Sequence, residues 1–530
     1  MPNSVLIATA ELQRRAQDVE ACLKAEESTA GRDGNADLVA CWGPKVEEGQ
    51  AARLAQRGRL VRFYPAAFGI GRLDVADWPL GYRLEGAPSK LLAGRKGGER
   101  RAEAVAEKLE GLKRLPGFAA VASEIRFPEP GAVAAMIESS VWLDPYDRKR
   151  IEIEEAIDYA AELIGYFSRD PLPSVGLNIT VGKRRHVKDF LDSPAGPVTH
   201  HTSPDAAVAE AKSRGARVVV WASKRTEKAE RLCAKEGVPL ARMEDGFLRS
   251  VGLGAAFVKS LSLVVDERGI YYDPSRPSDL EHILETADIG PDLVERGRKL
   301  REAVVAANLT KYNVGRQGGA RIVPSGRFGV LVPGQVEDDA SILLGGAAVK
   351  TNLGLLRAAR ERHPDAFLIY KPHPDVEAGY RTGKIEDAEA LTIADAVVRD
   401  RAIVSLFAEV KAIETMTSLA GFEALMRNLE VTTHGQPFYS GWGLTTDLAP
   451  LARRTRRRTL DELVAAALIL YPRYVDPISR LPCGPEVVLR RLAAEAAAIQ
   501  AGEGAIRSRL KHGAALVRHR ILGGLLRLLP

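Results

Sequence analysis

The sequence predicts an α/β protein whose main part consists of two Rossmann-like halves with a cleft between them. Between about residues 170 and 475, short apolar runs alternate with helical patterns, as in parallel sheets covered by helices. These units form two series of similar size, and a polar motif follows directly after several of the predicted strands. A degenerate N-terminal α/β segment and C-terminal helices complete the predicted fold.

The elements of each series follow from hydrophobic period and from turn residues. In the first series we predict strands over 218–221 and 239–243, a charged helix ending near 237, a hairpin over 261–266 and 270–272, and a helical stretch over 291–320. In the second we predict strands over 328–332, 366–370 and 412–415, helices over 352–362 and 419–426, and further helices over 460–470 and 484–500. The predicted domains are 1–165, 166–325, 326–480 and 481–530.

Charge and cysteine content exclude several classes of protein. The net charge is +6, and residues 504–530 hold six basic residues and no acidic one, so the rest of the chain is balanced. Nucleic-acid binding is therefore not expected, because the body has no basic face with interleaved aromatic residues. The four cysteines show no CxxC spacing, which indicates reduced thiols. We recognise no secretory signal and no membrane-spanning stretch, and we expect a cytoplasmic protein.

The basic tail over 505–530 alternates arginines with aliphatic residues. This pattern is typical of an amphipathic helix that lies on an anionic bilayer, so we expect peripheral attachment to the inner membrane. The alternative is a terminal helix packed on the protein with its arginines in solvent.

The first 165 residues repeat parts of the later sequence with similar spacing. Residues 42–45 resemble 221–224, and a Gly and a Phe follow each segment at matching distances. Residues 142–145 resemble 474–477, and a Glu follows each of these segments. The segment is either a degenerate copy that packs or binds acceptor, or an unrelated segment whose matches arose by chance.

The most informative stretch is residues 243–254. Glu244 and Asp245 stand there at the carboxyl end of a predicted strand, and glycines follow. Ligands bind at that end of parallel strands, so the pair is a candidate functional site; the alternative is a solvated turn. In the repeat alignment Pro65 and Ala66 take the place of the two carboxylates, so the first copy has lost them.

A second motif holds a cation and an imidazole in a rigid loop after a predicted strand. Lys371 and His373 alternate with Pro372 and Pro374. A phosphate or a carboxylate requires such preset donors. The alternative is a rigid loop with an exposed histidine.

A third motif surrounds a predicted helix start. Ser418 is a good N-cap, and with Thr417 and the first free amides it forms a candidate anion site. Gly421 lies in the first turn, and Glu423 is placed to accept hydrogen bonds from ribose hydroxyls. The alternative is plain helix capping.

A fourth motif, residues 432–445, is rich in glycine, aromatic and hydroxyl side chains and includes Gln436 and Tyr439. Such loops are typical of carbohydrate contact, because sugar C–H faces stack on aromatic rings. The alternative is an Ω-loop anchored by its aromatic residues.

Together with residues 332–339 and 471–477, these motifs resemble the capsular polysaccharide β-Kdo transferase family (KpsC/LipB type) over about residues 170–490, in the same order. The resemblance implies a GT-B-like fold with an acceptor side at 166–325 and a CMP-sugar side at 326–480. It further implies a retaining enzyme that uses CMP-β-Kdo. Some members carry two transferase modules, whereas residues 1–165 supply neither a second acidic pair nor a His-Pro motif.

The resemblance also implies roles for the motif residues, through a double displacement. Asp245 is the expected nucleophile, and Glu244 is the general base or an electrostatic partner. The other expected roles are phosphate binding by Lys371, His373, Pro374, Thr417, Ser418 and Gly421, ribose binding by Glu423, Kdo-carboxylate binding by Arg249 or Ser250, and cleft contacts by Gln335, Gln436 and Tyr439. No metal and no further cofactor is expected.

The expected partners are CMP-Kdo, a lipid-linked or oligosaccharide acceptor, an anionic membrane surface and capsule-assembly proteins. One alternative is another CMP-sugar transferase of the sialyltransferase kind. Another is a non-catalytic polysaccharide-assembly subunit.

Overall fold

The computed structural model describes residues 5–23, 28–30, 36–70, 80–87, 99–116, 118–129, 131–169, 171–224, 226–249, 260–310, 318–379 and 381–500. The chain divides into two compact units. The first comprises Met1–Pro173, Leu191–Pro197 and Asp476–Cys483, and the second comprises Ser174–Phe190, Val198–Val475 and Gly484–Pro530. Most of the predicted halves 166–325 and 326–480 falls in the second unit, apart from residues 166–173, 191–197 and 476–480. Ser250 and the tail over 505–530 lie outside the described residues.

The first unit is a mixed α/β unit. Its strands are β1 (Val5–Ile7), β2 (Ser28–Ala30), β3 (Leu38–Trp42), β4 (Arg59–Pro65), β5 (Gly69–Ile70), β6 (Gly81–Glu85), β7 (Ile125–Arg126), β8 (Ser140–Leu143) and β9 (Arg150–Ile151). Its helices are α1 (Ala10–Gln13), α2 (Ala16–Leu23), α3 (Glu48–Ala55), α4 (Glu99–Lys113), α5 (Phe118–Val121), α6 (Val133–Ser139) and α7 (Ile153–Ser168). Seven strands form one sheet in the order β2-β1-β3-β4-β6-β8-β9.

The first half of the second unit contains β10 (Ser174–Leu177), β11 (Thr199–His201), β12 (Arg217–Trp221), β13 (Leu240–Asp245) and β14 (Ser262–Asp266), with α8 (Val181–Leu191), α9 (Pro204–Arg214), α10 (Glu227–Glu236), α11 (Asp279–Thr286) and α12 (Pro291–Ala306). In its sheet, strands of this unit run in the order β11-β10-β12-β13-β14-β21, where β21 is Arg473–Val475. The helices begin and end at ordinary caps, such as Ser203 before α9 and the left-handed Gly215 after it.

The second half contains β15 (Gly329–Pro333), β16 (Phe367–Lys371), β17 (Ala396–Val397), β18 (Ala412–Thr415), β19 (Glu430–Thr433) and β20 (Thr446–Asp447), with α13 (Ala340–Gly345), α14 (Asn352–Arg362), α15 (Pro374–Glu377), α16 (Asp387–Ala390), α17 (Ile403–Phe407) and α18 (Leu419–Leu425). These strands form a parallel sheet in the order β17-β16-β15-β18-β19-β20. The chain then continues through α19 (Leu460–Ala465), a π-helical turn (Ala466–Leu470), β21, β22 (Pro482–Cys483) and α20 (Pro485–Gln500).

The predicted hairpin over 261–266 and 270–272 is wrong. The strand Ser262–Asp266 exists, but it pairs antiparallel with β13 and β21. The Asp266 carboxylate accepts hydrogen bonds from the backbone amides of Arg268 and Gly269, which turns the chain out of the sheet. The sheet is therefore mixed, and not wholly parallel as the alternating pattern predicted.

Each half has its own apolar core. Val218 and Val220 lie in the core of the first half, and Val330 and Leu368 lie in that of the second. Within the described residues, no helix is long and apolar enough to cross a bilayer.

Candidate active site

The acidic pair lies at the carboxyl end of β13, as its last two residues. Asp245 Oδ2 accepts a hydrogen bond from Arg249 Nε at 2.7 Å, and these side chains are 21% and 11% exposed. Glu244 Oε1 accepts from the Asp245 amide at 3.1 Å, and the Tyr271 hydroxyl donates to the Asp245 carbonyl at 3.4 Å. Backbone and side chain of Asp245 are thus both held in place at the strand end.

A lysine that the sequence did not single out faces this pair. Lys183 Nζ lies 3.3 Å from the centre of the Trp221 ring, at the start of α8. Much of the Lys183 side chain is accessible to solvent. Partial desolvation by the surrounding protein nevertheless lowers the pKa of Lys183 below the ordinary lysine value. The negative charges of Asp245 and Glu244 oppose this shift. A motif search missed Lys183 because it lies about 60 residues before the acidic pair and only the fold brings it there.

Aromatic packing joins the acidic motif to the predicted sugar-binding loop. The Phe247 ring stacks on Phe438 with centroids 4.5 Å apart, and Phe422 lies 6.3 Å from Phe247. Such contacts fix the relative position of the two halves at this point. Phe247 and Phe438 come from different sequence motifs, and their contact confirms that the motifs meet.

The second half brings its motifs to one sheet edge. Strand β15 pairs parallel with β16 and with β18, so the three carboxyl ends are neighbours. Gln335, which follows β15, accepts from the amides of Met416 and Thr417 at 3.2 and 3.1 Å. Its Nε2 donates to the Thr417 hydroxyl at 3.1 Å. Gln335 therefore positions the loop before α18, a role that the predicted cleft contact did not include.

A close approach at Gly345 connects this edge with the first half. A Cβ added at Gly345 would lie 3.2 Å from Thr417 Cγ2 and 3.4 Å from the Tyr272 carbonyl oxygen. The Gln436 amide donates to the Gly345 carbonyl at 2.8 Å. Burial raises the pKa of Tyr272, and the charge of Glu244 adds to this shift, so the acidic motif lies nearby.

His373 is the N-cap of α15. Its Nδ1 accepts from the Asp375 amide at 3.1 Å. A neutral imidazole that accepts at Nδ1 carries its proton on Nε2, so the ring is held in the form that donates from Nε2. Pro374 is the first residue of the helix and fixes the backbone there.

Lys371 is buried, with its ammonium directed towards β17. Nζ donates to the Arg399 carbonyl at 3.2 Å. Burial lowers the pKa of Lys371 to about 8, while Asp400 and Glu377 oppose the shift. The role of Lys371 in phosphate binding stays a prediction.

Ser418 caps α18, and its hydroxyl accepts from the Ala420 amide at 3.2 Å. Tyr439 is fully buried and donates to the Ser418 carbonyl at 2.5 Å. A Cβ added at Gly421 would lie 2.2 Å from the Tyr439 hydroxyl oxygen. Gly421 is therefore needed for close packing against Tyr439, and Tyr439 holds the start of α18 from the protein interior. Packing thus replaces the predicted donor contact of Gly421 and the predicted sugar contact of Tyr439. The sequence alone did not distinguish these contacts from packing.

Two other predicted residues keep their place at this edge. Glu423 lies buried in α18, and its carbonyl accepts from Arg427. Gln436 is half-buried beside Gly435, where an added Cβ would lie 2.8 Å from Thr417 Cγ2. Their roles in binding remain predictions.

A buried carboxylate fixes the loop after β19. Glu414 accepts from Nε2 of His434 at 2.6 Å and of His363 at 2.8 Å. Burial alone would raise the pKa of Glu414, but these hydrogen bonds lower it below its ordinary value. The cluster therefore positions His434, which directly precedes Gly435 and Gln436 in the chain. Within the described residues, no three His, Cys, Asp or Glu side chains are grouped as metal ligands.

Comparisons with known proteins identify the family of this chain. Residues 216–317 and 319–474 match the family described as capsule polysaccharide biosynthesis protein. The capsule polysaccharide modification protein LipA of Neisseria meningitidis is 40% identical over 347 residues, which cover 65% of this chain and 49% of LipA. The lipopolysaccharide-processing protein LpsZ of Rhizobium meliloti is 49% identical over 259 residues, 48% of this chain and 59% of LpsZ.

A solved structure is also similar. The structure named Thermosulfurimonas dismutans KpsC, beta Kdo 2,4 transferase, has a TM-score of 0.53 and 34% identity, covering 61% of this chain and 98% of its own. The similarities define a protein of capsule polysaccharide biosynthesis. Within that class, the chain belongs to the capsular polysaccharide Kdo transferase family of the KpsC/LipB type. It spans about half the length of LipA.

Proposed function

We propose that the second unit is a GT-B-like retaining glycosyltransferase that moves Kdo from CMP-β-Kdo to a glycolipid or polysaccharide acceptor. The observation that carries this proposal is the arrangement around Asp245. A carboxylate held by Arg249 ends a strand of one half, and the capped start of α18 lies at the strand edge of the other. The similarity to a structure named as a Kdo transferase supports the choice of sugar.

In the first step, Asp245 acts as the nucleophile. Its carboxylate oxygen forms a bond to the anomeric carbon of Kdo, and the bond from that carbon to the phosphate oxygen breaks. The electron pair of the broken bond leaves with CMP. The product of this step is an inverted Kdo ester of Asp245.

In the second step, the acceptor hydroxyl attacks the same carbon from the opposite side. Glu244 takes the hydroxyl proton, and the Asp245 carboxylate leaves with the electron pair of the ester bond. Two inversions restore the β configuration. Glu244 then returns its proton to solvent.

The leaving phosphate requires donors near the second half's strand edge. We assign this task to the Nε2–H of His373, to Thr417 and to Ser418, whose backbone is placed by Gln335 and Tyr439. Glu423 is assigned to the ribose. Lys371 is assigned a supporting role, because its ammonium links β16 to the Arg399 carbonyl.

The Kdo carboxylate requires a cation beside the nucleophile. We assign it to Lys183, since Arg249 is committed to Asp245. The Trp221 ring lies beneath the ammonium and holds it at this position. The predicted contribution of Ser250 lies outside the described residues.

The test is release of CMP by the purified chain from CMP-Kdo generated in situ, with CMP-sialic acid as the matched donor. We expect turnover with CMP-Kdo at least about tenfold faster, the ratio that about 1.4 kcal/mol of transition-state discrimination gives. Equal or faster turnover of CMP-sialic acid would favour the sialyltransferase alternative. Binding of CMP without turnover of either donor would favour the non-catalytic assembly subunit.

The proposed location is the inner membrane surface, with attachment through residues 505–530 and with capsule-assembly proteins as neighbours. The motivating observation is the concentration of the net charge in that tail. Deletion of 505–530 is expected to release the chain from anionic liposomes. Equal binding of the deleted and full chains would reject the attachment.

A further inference from the structure

The sheet of the first unit and the first sheet of the second unit have the same plan. Their strands run in the orders β2-β1-β3-β4-β6-β8 and β11-β10-β12-β13-β14-β21. In both, the first four strands are parallel and the next two pair antiparallel. A chance match of order and of every direction over six strands is improbable, because many other arrangements satisfy the rules of sheet topology.

The strand registers give a residue-by-residue correspondence. Trp42, the last residue of β3, pairs with Phe63, whereas Trp221, the last residue of β12, pairs with Met243. Phe63 and Met243 are therefore equivalent, and the next two residues of β4, Tyr64 and Pro65, stand where the acidic pair stands in β13. The sequence alignment, which put Pro65 and Ala66 there, is wrong by one residue.

A hydrogen bond at the end of each strand supports the shifted alignment. The Ala66 amide donates to the Gly81 carbonyl at 3.1 Å, and the Gly246 amide donates to the Ser262 carbonyl at 2.9 Å. In each strand the donor is the residue directly after the compared pair, which is Tyr64–Pro65 in β4 and Glu244–Asp245 in β13.

Two Asp-Pro turns also correspond. In one, the Arg148 amide donates to the Asp144 carbonyl at 3.0 Å, and in the other, the Arg480 amide donates to the Asp476 carbonyl at 2.9 Å. Arg148 and Arg480 both adopt a left-handed conformation, with φ of 54° and 60°. A non-glycine residue in that region is uncommon, so its recurrence at the same position of two similar turns is informative.

A paired arginine and glutamate then link equivalent helices. Arg101 on α4 donates from two nitrogens to the Glu154 carboxylate on α7. Arg296 on α12 does the same to Glu486 on α20. The helices α4 and α12 thus correspond. The six strands of the second half follow α12, whereas only a short segment lies between α4 and α6.

The charge at the strand ends differs between the copies. In the first unit, Arg83 lies opposite Tyr64, with its guanidinium 4.3 Å from the centre of the ring. A hydrogen bond with Tyr64 raises the pKa of Arg62. Arg15 lies 5.0 Å from the centre of the Trp42 ring, much as Lys183 lies over the equivalent tryptophan. The only carboxylate beside Arg83 among these described residues is Glu85, at 3.7 Å.

We propose that the first unit is a copy of the acceptor-side half that lacks the donor half, and that it binds an acidic saccharide at the Tyr64–Arg83 edge without transferring it. The first unit keeps a cation on the equivalent tryptophan, as Arg15 over Trp42, and at the strand end it has a tyrosine and a proline in place of the two carboxylates. Arginine guanidinium groups recognise carboxylates, and the Tyr64 ring beneath Arg83 holds the guanidinium at this edge. The inference rests on the proposed function, since a Kdo transferase extends or starts a chain of acidic sugars.

The test is calorimetric binding of a Kdo disaccharide, and of its carboxyl-reduced neutral counterpart, to the full chain and to the Arg83→Glu variant. Arg83 is exposed and pairs only weakly with Glu85, so its replacement is expected to leave the thermal unfolding midpoint unchanged. We expect at least about tenfold weaker binding of the acidic disaccharide by this variant, because charged hydrogen bonds are lost. Arg114→Glu, an exposed arginine of the same unit, is the matched control and is expected to bind like wild type.

Equal affinity of wild type and Arg83→Glu for the acidic disaccharide would overturn the proposal, as would equal affinity of wild type for the neutral one. A second variant, Tyr64→Ala, removes the ring beneath the Arg83 guanidinium and is expected to weaken binding of the acidic disaccharide. If the proposed function fails, the chain releases no CMP from CMP-Kdo, and this result does not depend on whether the saccharides bind to the first unit.

Discussion

Arg249 donates from Nε to Oδ2 of Asp245 at 2.7 Å, so the guanidinium orients the carboxylate that we propose as the nucleophile. Replacement by alanine leaves the carboxylate present but no longer fixed. We expect Arg249→Ala to lower kcat by about 10²-fold, the usual cost of a misplaced reacting group. The KM for the donor is expected to change little. A steady-state comparison with Arg268→Ala, an exposed arginine of the same half, measures this effect.

A large rise in donor KM with unchanged kcat in Arg249→Ala would contradict this positioning role. That result would instead support the role predicted from the sequence, in which Arg249 binds the Kdo carboxylate.

Lys183 is expected to bind that carboxylate. Lys183→Met keeps the length of the side chain and removes the charge, so about 1.5–3 kcal/mol of charged hydrogen bonding is lost. We expect the donor KM to rise about 10- to 100-fold. Lys188→Met, at an exposed position of the same helix, is the control and should retain the wild-type KM. A Lys183→Met enzyme with the wild-type donor KM would exclude this role.

Lys371 gives a pH-dependent contribution to stability. Its pKa is about 8 in the native state, below the ordinary value of 10.5 that the unfolded chain restores. Between these values the unfolded state holds a proton that the native state has lost, so the free energy of unfolding rises with pH, by up to about 1.4 kcal/mol per pH unit. Urea unfolding at about pH 7 and about pH 9.5 should show a larger rise in wild type than in Lys371→Met, which retains the contributions of other groups such as Lys183.

Lys384→Met is the control for Lys371, because Lys384 is an exposed lysine paired with Glu386. This variant should keep the wild-type pH dependence. Parallel pH profiles of wild type and Lys371→Met would show that the Lys371 ammonium is not desolvated.

Tyr439 supports the start of α18 from within the protein. Tyr439→Phe removes its hydrogen bond to the Ser418 carbonyl, and we expect a loss of about 1 kcal/mol in the free energy of unfolding. Because the side chain is buried, acceptor KM should change little. If Tyr439→Phe has wild-type stability and a strongly raised acceptor KM, the predicted contact between Tyr439 and sugar is supported instead.

Much of the second unit could be predicted from sequence. The predicted strands over 412–415 and 366–370 and the predicted helix over 352–362 are observed within one residue. Their apolar patterns are long enough to fix the element, and their caps are of common types. The hairpin prediction failed because strand pairing depends on distant partners, and β14 finds them in β13 and β21.

The candidate site was less accessible to sequence reasoning. The motifs singled out Asp245 and Ser418, and the structure places Asp245 at the end of β13 and Ser418 shortly after β18, while their roles stay predictions. Sequence did not indicate whether a motif side chain faces the cleft or the core, and Tyr439 and Gly421 proved to be packing residues. Lys183 carried no local signal, because its role depends on a contact with a tryptophan on another element.

The covalent step at Asp245 is the central claim. Its most direct test is intact-protein mass spectrometry of wild type and Asp245→Ala after incubation with CMP-Kdo and no acceptor. The account predicts a mass increase of one Kdo residue on wild type, absent from Asp245→Ala, together with release of CMP. CMP release and transfer to acceptor by an Asp245→Ala enzyme, or an adduct that survives this replacement, would contradict the account.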